Sequence, residues 1–65
     1  MKERYPIIFE KYGDMLTVEQ LAEYLSVSKN TVYKMLKERK IKGKRVGKDW
    51  RIPTIRIIEY LEAVR

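Results

Sequence analysis

Leu16-Thr17-Val18-Glu19-Gln20-Leu21-Ala22-Glu23-Tyr24-Leu25-Ser26-Val27-Ser28-Lys29-Asn30-Thr31-Val32-Tyr33-Lys34-Met35-Leu36 decides the fold of this 65-residue chain. Val18, Leu21, Ala22 and Leu25 recur at i, i+3, i+4 and i+7, the spacing of one helical face. Thr17 stands at the N-cap position, with Gln20 three residues on to close a capping box. Ser28 is a second N-cap, and Val32, Met35 and Leu36 form a second apolar stripe. Only Ser26 and Val27 separate the two segments. So short a link cannot fold them into a long antiparallel hairpin, and the helices cross steeply.

That geometry is a helix-turn-helix. Its first helix carries Glu19 and Glu23 and no cation, which suits support rather than contact with phosphate. Ala22 suits the close approach of two crossing helices. Ser26 takes the turn, where a left-handed backbone would favour glycine. On the second helix, Lys29, Asn30, Tyr33, Lys34 and Lys37 fall on one continuous polar stripe without an acid. A merely solvated face usually mixes charges and carries Glu–Lys pairs at i, i+4. Its one-sided chemistry points instead to a nucleic-acid face.

The charge of the whole chain is +6, and it is segregated. Residues 29–51 hold ten Lys/Arg and two acids (Glu38 and Asp49), whereas the rest holds five Lys/Arg and seven acids. Such a field concerns binding and steering, and its natural partners are polyanions: DNA, RNA or an acidic membrane surface. A membrane-surface helix needs a large apolar face beside its cations, which the basic segment lacks. Specific RNA readers stack several aromatics on splayed bases, and the stripe offers only Tyr33. With no cysteine there are neither disulfides nor thiolate metal sites. There is no histidine, no Gly-rich phosphate loop and no carboxylate pair in an apolar setting, so the expectation is a protein that is not an enzyme and uses no metal or cofactor. No apolar run approaches a membrane span and no signal-peptide h-region is present, which makes a cytoplasmic location the expectation.

Outside the central pair, residues 1–14 read as an added helix with Tyr5, Ile8, Phe9 and Tyr12 on one face, Pro6 in its first turn and Gly13 past its end. This helix either extends a thin core or offers aromatics to a partner. After Lys37-Glu38-Arg39-Lys40, the stretch Ile41–Ile52 reads as a β-hairpin with Gly47-Lys48-Asp49 in its turn. Ile41, Val46, Trp50 and Ile52 supply its apolar side chains, and Trp50 and Ile52 anchor it to the helices. Lys42, Lys44, Arg45, Lys48 and Arg51 are its exposed cations, acting either as edge-strand guards against aggregation or as an extension of the basic stripe. Pro53 opens a last helix, about 54–64, with Ile57, Ile58, Leu61 and Val64 toward the core and Arg56, Glu59, Glu62 and Arg65 in solvent. Ile55 and Tyr60 face another side, toward the N-terminal helix or a second subunit.

With these residues laid out, residues 16–61 resemble the excisionase-type, MerR-like helix-turn-helix domain, a small winged-helix relative. The match rests on Leu16-Thr17-Val18 leading into Leu21-Ala22-Glu23-Tyr24-Leu25, then Val27-Ser28, Thr31-Val32-Tyr33, Val46-Gly47, Trp50-Arg51-Ile52-Pro53 and Ile58-Glu59-Tyr60-Leu61. The resemblance implies a second helix in the DNA major groove and a hairpin wing on the backbone or minor groove. It places Ser28, Lys29, Asn30, Thr31, Tyr33 and Lys34 at recognition-helix positions and Lys44, Arg45, Lys48 and Arg51 on the wing. Two residues depart from the pattern. Arg39 stands where glycine usually ends the helix, so a longer or different helix end is expected. Lys42 and Gly43 replace a Pro-Ala-like pair, so a more flexible wing strand is expected.

The resulting expectation is a mainly α protein with a small β-hairpin, a winged helix-turn-helix with an added N-terminal helix. It forms a single domain over 1–65: an extension (1–15), the helix-turn-helix (16–38), the wing (40–52) and a C-terminal helix (53–65). Its candidate DNA contacts are Ser28, Lys29, Asn30, Thr31, Tyr33, Lys34, Lys37, Lys42, Lys44, Arg45, Lys48 and Arg51. Its partners are double-stranded DNA, a second copy or a cooperative array on DNA, and an integrase or recombinase. Its role is that of a recombination directionality factor or a transcriptional regulator. Alternatives are a protein-interaction module working through the aromatic N-terminal helix, or the detached DNA-binding domain of a larger recombinase.

Overall fold

The computed structural model describes residues 6–64. In chain order it runs α1 (Pro6–Tyr12), β1 (Met15–Leu16), α2 (Val18–Leu25), α3 (Lys29–Lys37), β2 (Lys44–Val46), β3 (Asp49–Pro53) and α4 (Thr54–Ala63). Tyr5 and Arg65, read above as part of the first and last helices, lie outside the described residues.

The capping chemistry is realised at both central helices. The Thr17 side chain accepts from the Gln20 N–H at 3.1 Å, and the Gln20 side chain accepts from the Thr17 N–H at 3.0 Å. Ser28 Oγ accepts from the Thr31 N–H at 3.2 Å. Ser26, at φ 58°, turns the chain left-handed between the helices. The Ser26 N–H donates to the Glu23 carbonyl and the Val27 N–H to the Ala22 carbonyl, the paired bonds that close a helix end around a left-handed residue.

The end of α3 repeats this device with an unexpected residue. Arg39 sits at φ 59°, its N–H donates to the Leu36 carbonyl, and the Lys40 N–H donates to the Met35 carbonyl. The helix therefore stops as it would with glycine, and does not run on. Arginine is accommodated because the two reverse bonds, and the burial of Ile41 just beyond, hold the backbone there.

A small sheet was only half legible. Three strands lie in the order β1-β3-β2, and the two-residue β1 pairs Met15 with Pro53 and Leu16 with Ile52. This strand was not expected from the sequence. The hairpin β2–β3 pairs Lys44 with Arg51, Arg45 with Trp50 and Val46 with Asp49. Its turn is thus the two residues Gly47-Lys48, with Asp49 already in the strand. Gly47 carries φ 63°, a positive value at the first loop position, which is where a two-residue hairpin loop requires glycine. Ile41 is buried but lies before the strand rather than in it.

The core draws on α1 (Ile8), β1 (Leu16), α2 (Val18, Leu21, Ala22), α3 (Val32, Met35, Leu36), β3 (Ile52) and α4 (Ile57, Ile58), with Ile41 from the connection. Val64, expected to face the core, is not in it, and neither is the hairpin's Val46. Val46 and Val64 are 58% and 61% exposed. Val46 pairs with Asp49 on the sheet face turned away from Ile52, and Val64 follows the last residue of α4, beyond the turn that packs. Ile55 is exposed, while Tyr60 is half-buried against the core.

The added helix extends the core rather than standing apart. Ile8 is buried, Phe9 and Tyr12 are half-buried against the core, and Gly13 closes the helix at φ 76°. Tyr12 Oη donates to Glu23 Oε1 at 2.8 Å, and Lys11 Nζ stands 2.8 Å from the same oxygen. The Tyr12 and Tyr24 rings meet edge to face at 6.1 Å. The hydrogen bond from Lys11, reinforced by that from Tyr12, holds the Glu23 carboxyl below its ordinary range. The bond to Glu23 raises Lys11 and Tyr12.

Candidate nucleic-acid interface

The second helix of the pair is built to present one face. Val32, Met35 and Leu36 are buried against α2 and the core, which turns Lys29, Asn30, Tyr33, Lys34 and Lys37 outward, all exposed. Ser28 and Thr31 are exposed as well, but their hydroxyls are 3.0 Å apart and bonded to each other, so both serve the start of the helix. Lys34 and Lys37 lie in the last turn, where cations complement the negative end of the helix dipole.

Lys42, Lys44, Arg45 and Lys48 are exposed on or beside the wing. Strand alternation sorts them further. Residues opposite each other in an antiparallel ladder share a face, and successive residues alternate. Trp50 and Ile52 point toward the core, so Arg45, opposite Trp50, shares the helix-facing side. Lys44 and Arg51 share the opposite face. Arg51 is half-buried, and its Nη1 donates to the Trp50 carbonyl at 3.4 Å, so this cation lies along its own strand. The wing cations, taken from the sequence as one cluster, thus divide between two faces with Lys48 at the tip.

The stripe and the wing meet. Tyr33 of α3 and Asp49, Trp50 and Arg51 of β3 line a cleft completed by Thr17, Val18 and Glu19 at the start of α2. Sequence reasoning missed Thr17–Glu19, Asp49 and Trp50 as parts of this surface. No local pattern marks them, because the cleft exists only once β3 is laid beside α2. Glu19 and Asp49 bring two carboxylates to the border of an otherwise cationic surface.

Gly43 has no room for a side chain. A β-carbon there would lie 2.9 Å from Leu36 Cδ2 and 3.3 Å from both Ile52 Cγ1 and Trp50 Cε3. Glycine allows the wing root to approach the end of α3 closely.

A family model described as a helix-turn-helix domain (HTH_17) matches residues 15–65. The chain belongs to this helix-turn-helix family. The family is one of excisionase-like DNA-binding domains, and the match spans every element from β1 to α4. Neither the curated proteins nor the solved structures give a match to the chain. The helix-turn-helix match leaves α1 outside, although α1 packs on the matched part. Among the described residues, no group of three or more His, Cys, Asp or Glu could hold a metal, and no helix is long and apolar enough to cross a membrane.

Proposed function

We propose that this protein is a small sequence-specific binder of double-stranded DNA, acting as a recombination directionality factor or a transcriptional regulator. One observation carries this reading: a helix buried on one side and capped at Ser28 presents an acid-free stripe of cations, amide and phenol, and a basic wing adjoins it across a shared cleft.

In this reading α3 enters the major groove, which is wide enough for a helix. Asn30 is suited to two-point pairing with adenine, and Lys29 or Lys34 to guanine O6 and N7. Lys37, Lys42, Lys48 and the cations of one wing face, either Arg45 or Lys44 with Arg51, supply phosphate contacts that place the protein without reading sequence. Tyr33, at the rim of the cleft, is placed to meet sugar or phosphate. A single module of this size offers a limited interface, about 600–1,000 Å². Specific occupancy therefore calls for a second copy, a cooperative array on DNA, or an integrase already on the site. The protein has no catalytic role in this reading and works in the cytoplasm. The detached domain of a larger recombinase would use the same surface. A protein-interaction module based on α1 is less favoured, because Phe9 and Tyr12 are already committed to the core.

The test is a titration with duplex DNA at several salt concentrations. Neutralising six phosphates gives a slope of log K against log salt of about −5. Replacing Asn30 by alanine relaxes preference at one base pair and leaves that slope nearly intact. Replacing Lys44 or Arg45 weakens binding to all sequences and reduces the slope by about one for whichever residue's sheet face meets the backbone. Uniform loss across sequences for Asn30→Ala would show that base reading lies elsewhere, and absence of binding at low salt would remove the DNA reading.

A further inference from the structure

The connection from α3 to the wing holds a second feature, which shares only Lys42 with the contacts proposed for DNA. Leu36, Arg39, Ile41, Lys42, Gly43 and Trp50 line an open groove enclosing about 450 Å³. Leu36 and Ile41 form its floor, the half-buried Trp50 a wall, and Arg39 and Lys42 a cationic rim. Behind the rim a second depression adds Lys40 and Arg56, although Lys40 lies 3.5 Å from Glu38 and Arg56 2.9 Å from Glu59. Two observations set this groove apart from ordinary surface. Arg39 holds a left-handed backbone where glycine would be free of strain, which keeps a cation at the rim at an energetic cost. Gly43 lets the wing root pack directly on two lining residues, since a β-carbon there would lie 2.9 Å from Leu36 Cδ2 and 3.3 Å from Trp50 Cε3.

We propose that this groove docks an acidic peptide segment of a partner protein, with an apolar or aromatic side chain inserted against Trp50 and its carboxylates on Arg39 and Lys42. The combination selects the occupant. A phosphate backbone would satisfy the rim but gain nothing from an apolar floor. A neutral apolar peptide would leave the cations unused. An apolar anchor inside a polar rim is the usual arrangement of an interface that carries energy.

The proposal stands independently of the DNA reading, and its experiment contains no DNA. Twelve-residue peptides displayed on phage are selected on the immobilised full chain. Winners are synthesised with a fluorophore, and binding is followed by anisotropy on the native protein, Arg39→Glu and Gly43→Val, with thermal melts reporting that each is folded. The expected winners carry two or more Asp/Glu around an apolar residue and bind at least tenfold more weakly to both variants. If Gly43→Val does not fold, Arg39→Glu decides, together with movement of the Trp50 indole N–H resonance on adding peptide to the native chain. Failure to enrich any peptide, winners without acids, equal binding to the variants, or an unmoved Trp50 signal would each overturn it.

Discussion

The helix-turn-helix and the wing are held by different means. In α2 and α3, six side chains are buried and both helix starts are closed by side-chain caps. In the wing, β2 buries none of its three residues, and the hairpin is fastened through β3, where Ile52 is buried and Trp50 half-buried, and through its root at Ile41 and Gly43. The surface proposed to read bases is therefore mounted on the rigid part, and the surface proposed to meet the backbone on the adjustable one. Elements with few buried contacts open at lower free energy than the core. That division suits a protein that must keep its reading residues in register while its wing follows the local shape of a duplex.

The comparison can be broken most directly by truncating one side chain in each region. Leu21→Ala, at a fully buried site in α2, should cost about 2–5 kcal/mol, a large part of the stability of so small a domain. Val46→Ala in β2 should change stability by no more than about 0.5 kcal/mol. Urea denaturation monitored through Trp50 reads both, and similar losses would mean that the wing is as integral to the fold as the helices.

A smaller effect is expected where the sheet joins the helices. Thr54 is fully buried, its hydroxyl donates to the Gly13 carbonyl at 2.7 Å, and its N–H donates to the Asp14 carbonyl at 2.9 Å. Thr54→Val keeps the shape but strands one acceptor, at a cost of about 1 kcal/mol. Hydrogen exchange at Leu16 and Ile52 should quicken with it, because those residues pair next to the lost bond.

Arg39→Gly should act in the opposite direction. Relief of the left-handed strain is worth about 1–2 kcal/mol, and the greater freedom of glycine in the unfolded chain takes back about 0.5–1 kcal/mol. A net gain of about 0–1.5 kcal/mol in unfolding free energy, read as a higher denaturation midpoint, is expected. A loss instead would show that the Arg39 side chain stabilises the fold.

The smallest effect belongs to the α1 clasp. Glu23 is depressed when folded, so its contribution is complete above the ordinary glutamate range and disappears as pH falls through the lower folded value. Both partners are exposed, so solvent screening keeps the effect slight. Proteolysis of α1 should become slightly faster below that range in the native protein, and Glu23→Gln should remove the pH dependence.

What could be read from the chain, and what could not, follows the range of each interaction. Thr17 with Gln20 and Ser28 with Thr31 act over three residues, so their caps were visible beforehand. The apolar stripes of α2 and α3 were visible because their periods are complete within a helix. Strand β1 was not, since two residues carry no alternation and Met15-Leu16 becomes a strand only by pairing with Ile52 and Pro53. The face that Val46 takes could not be read, because it depends on a register set by the two-residue loop Gly47-Lys48. Arg39 was noticed as a departure, but its conformation depends on bonds that reach back to Met35 and Leu36. In the candidate site, the cations of α3 were legible as a stripe, whereas the division of the wing cations needed the strand pairing.

The two bonds from Thr54 bear on any attempt to transplant this module. The family match begins at residue 15, yet the oxygens that receive those bonds belong to residues 13 and 14. A graft cut at the family boundary would delete both acceptors and leave a buried hydroxyl facing nothing. The working unit for a chimera starts no later than Gly13, and carrying α1 along would also bring Ile8 to seal the same seam.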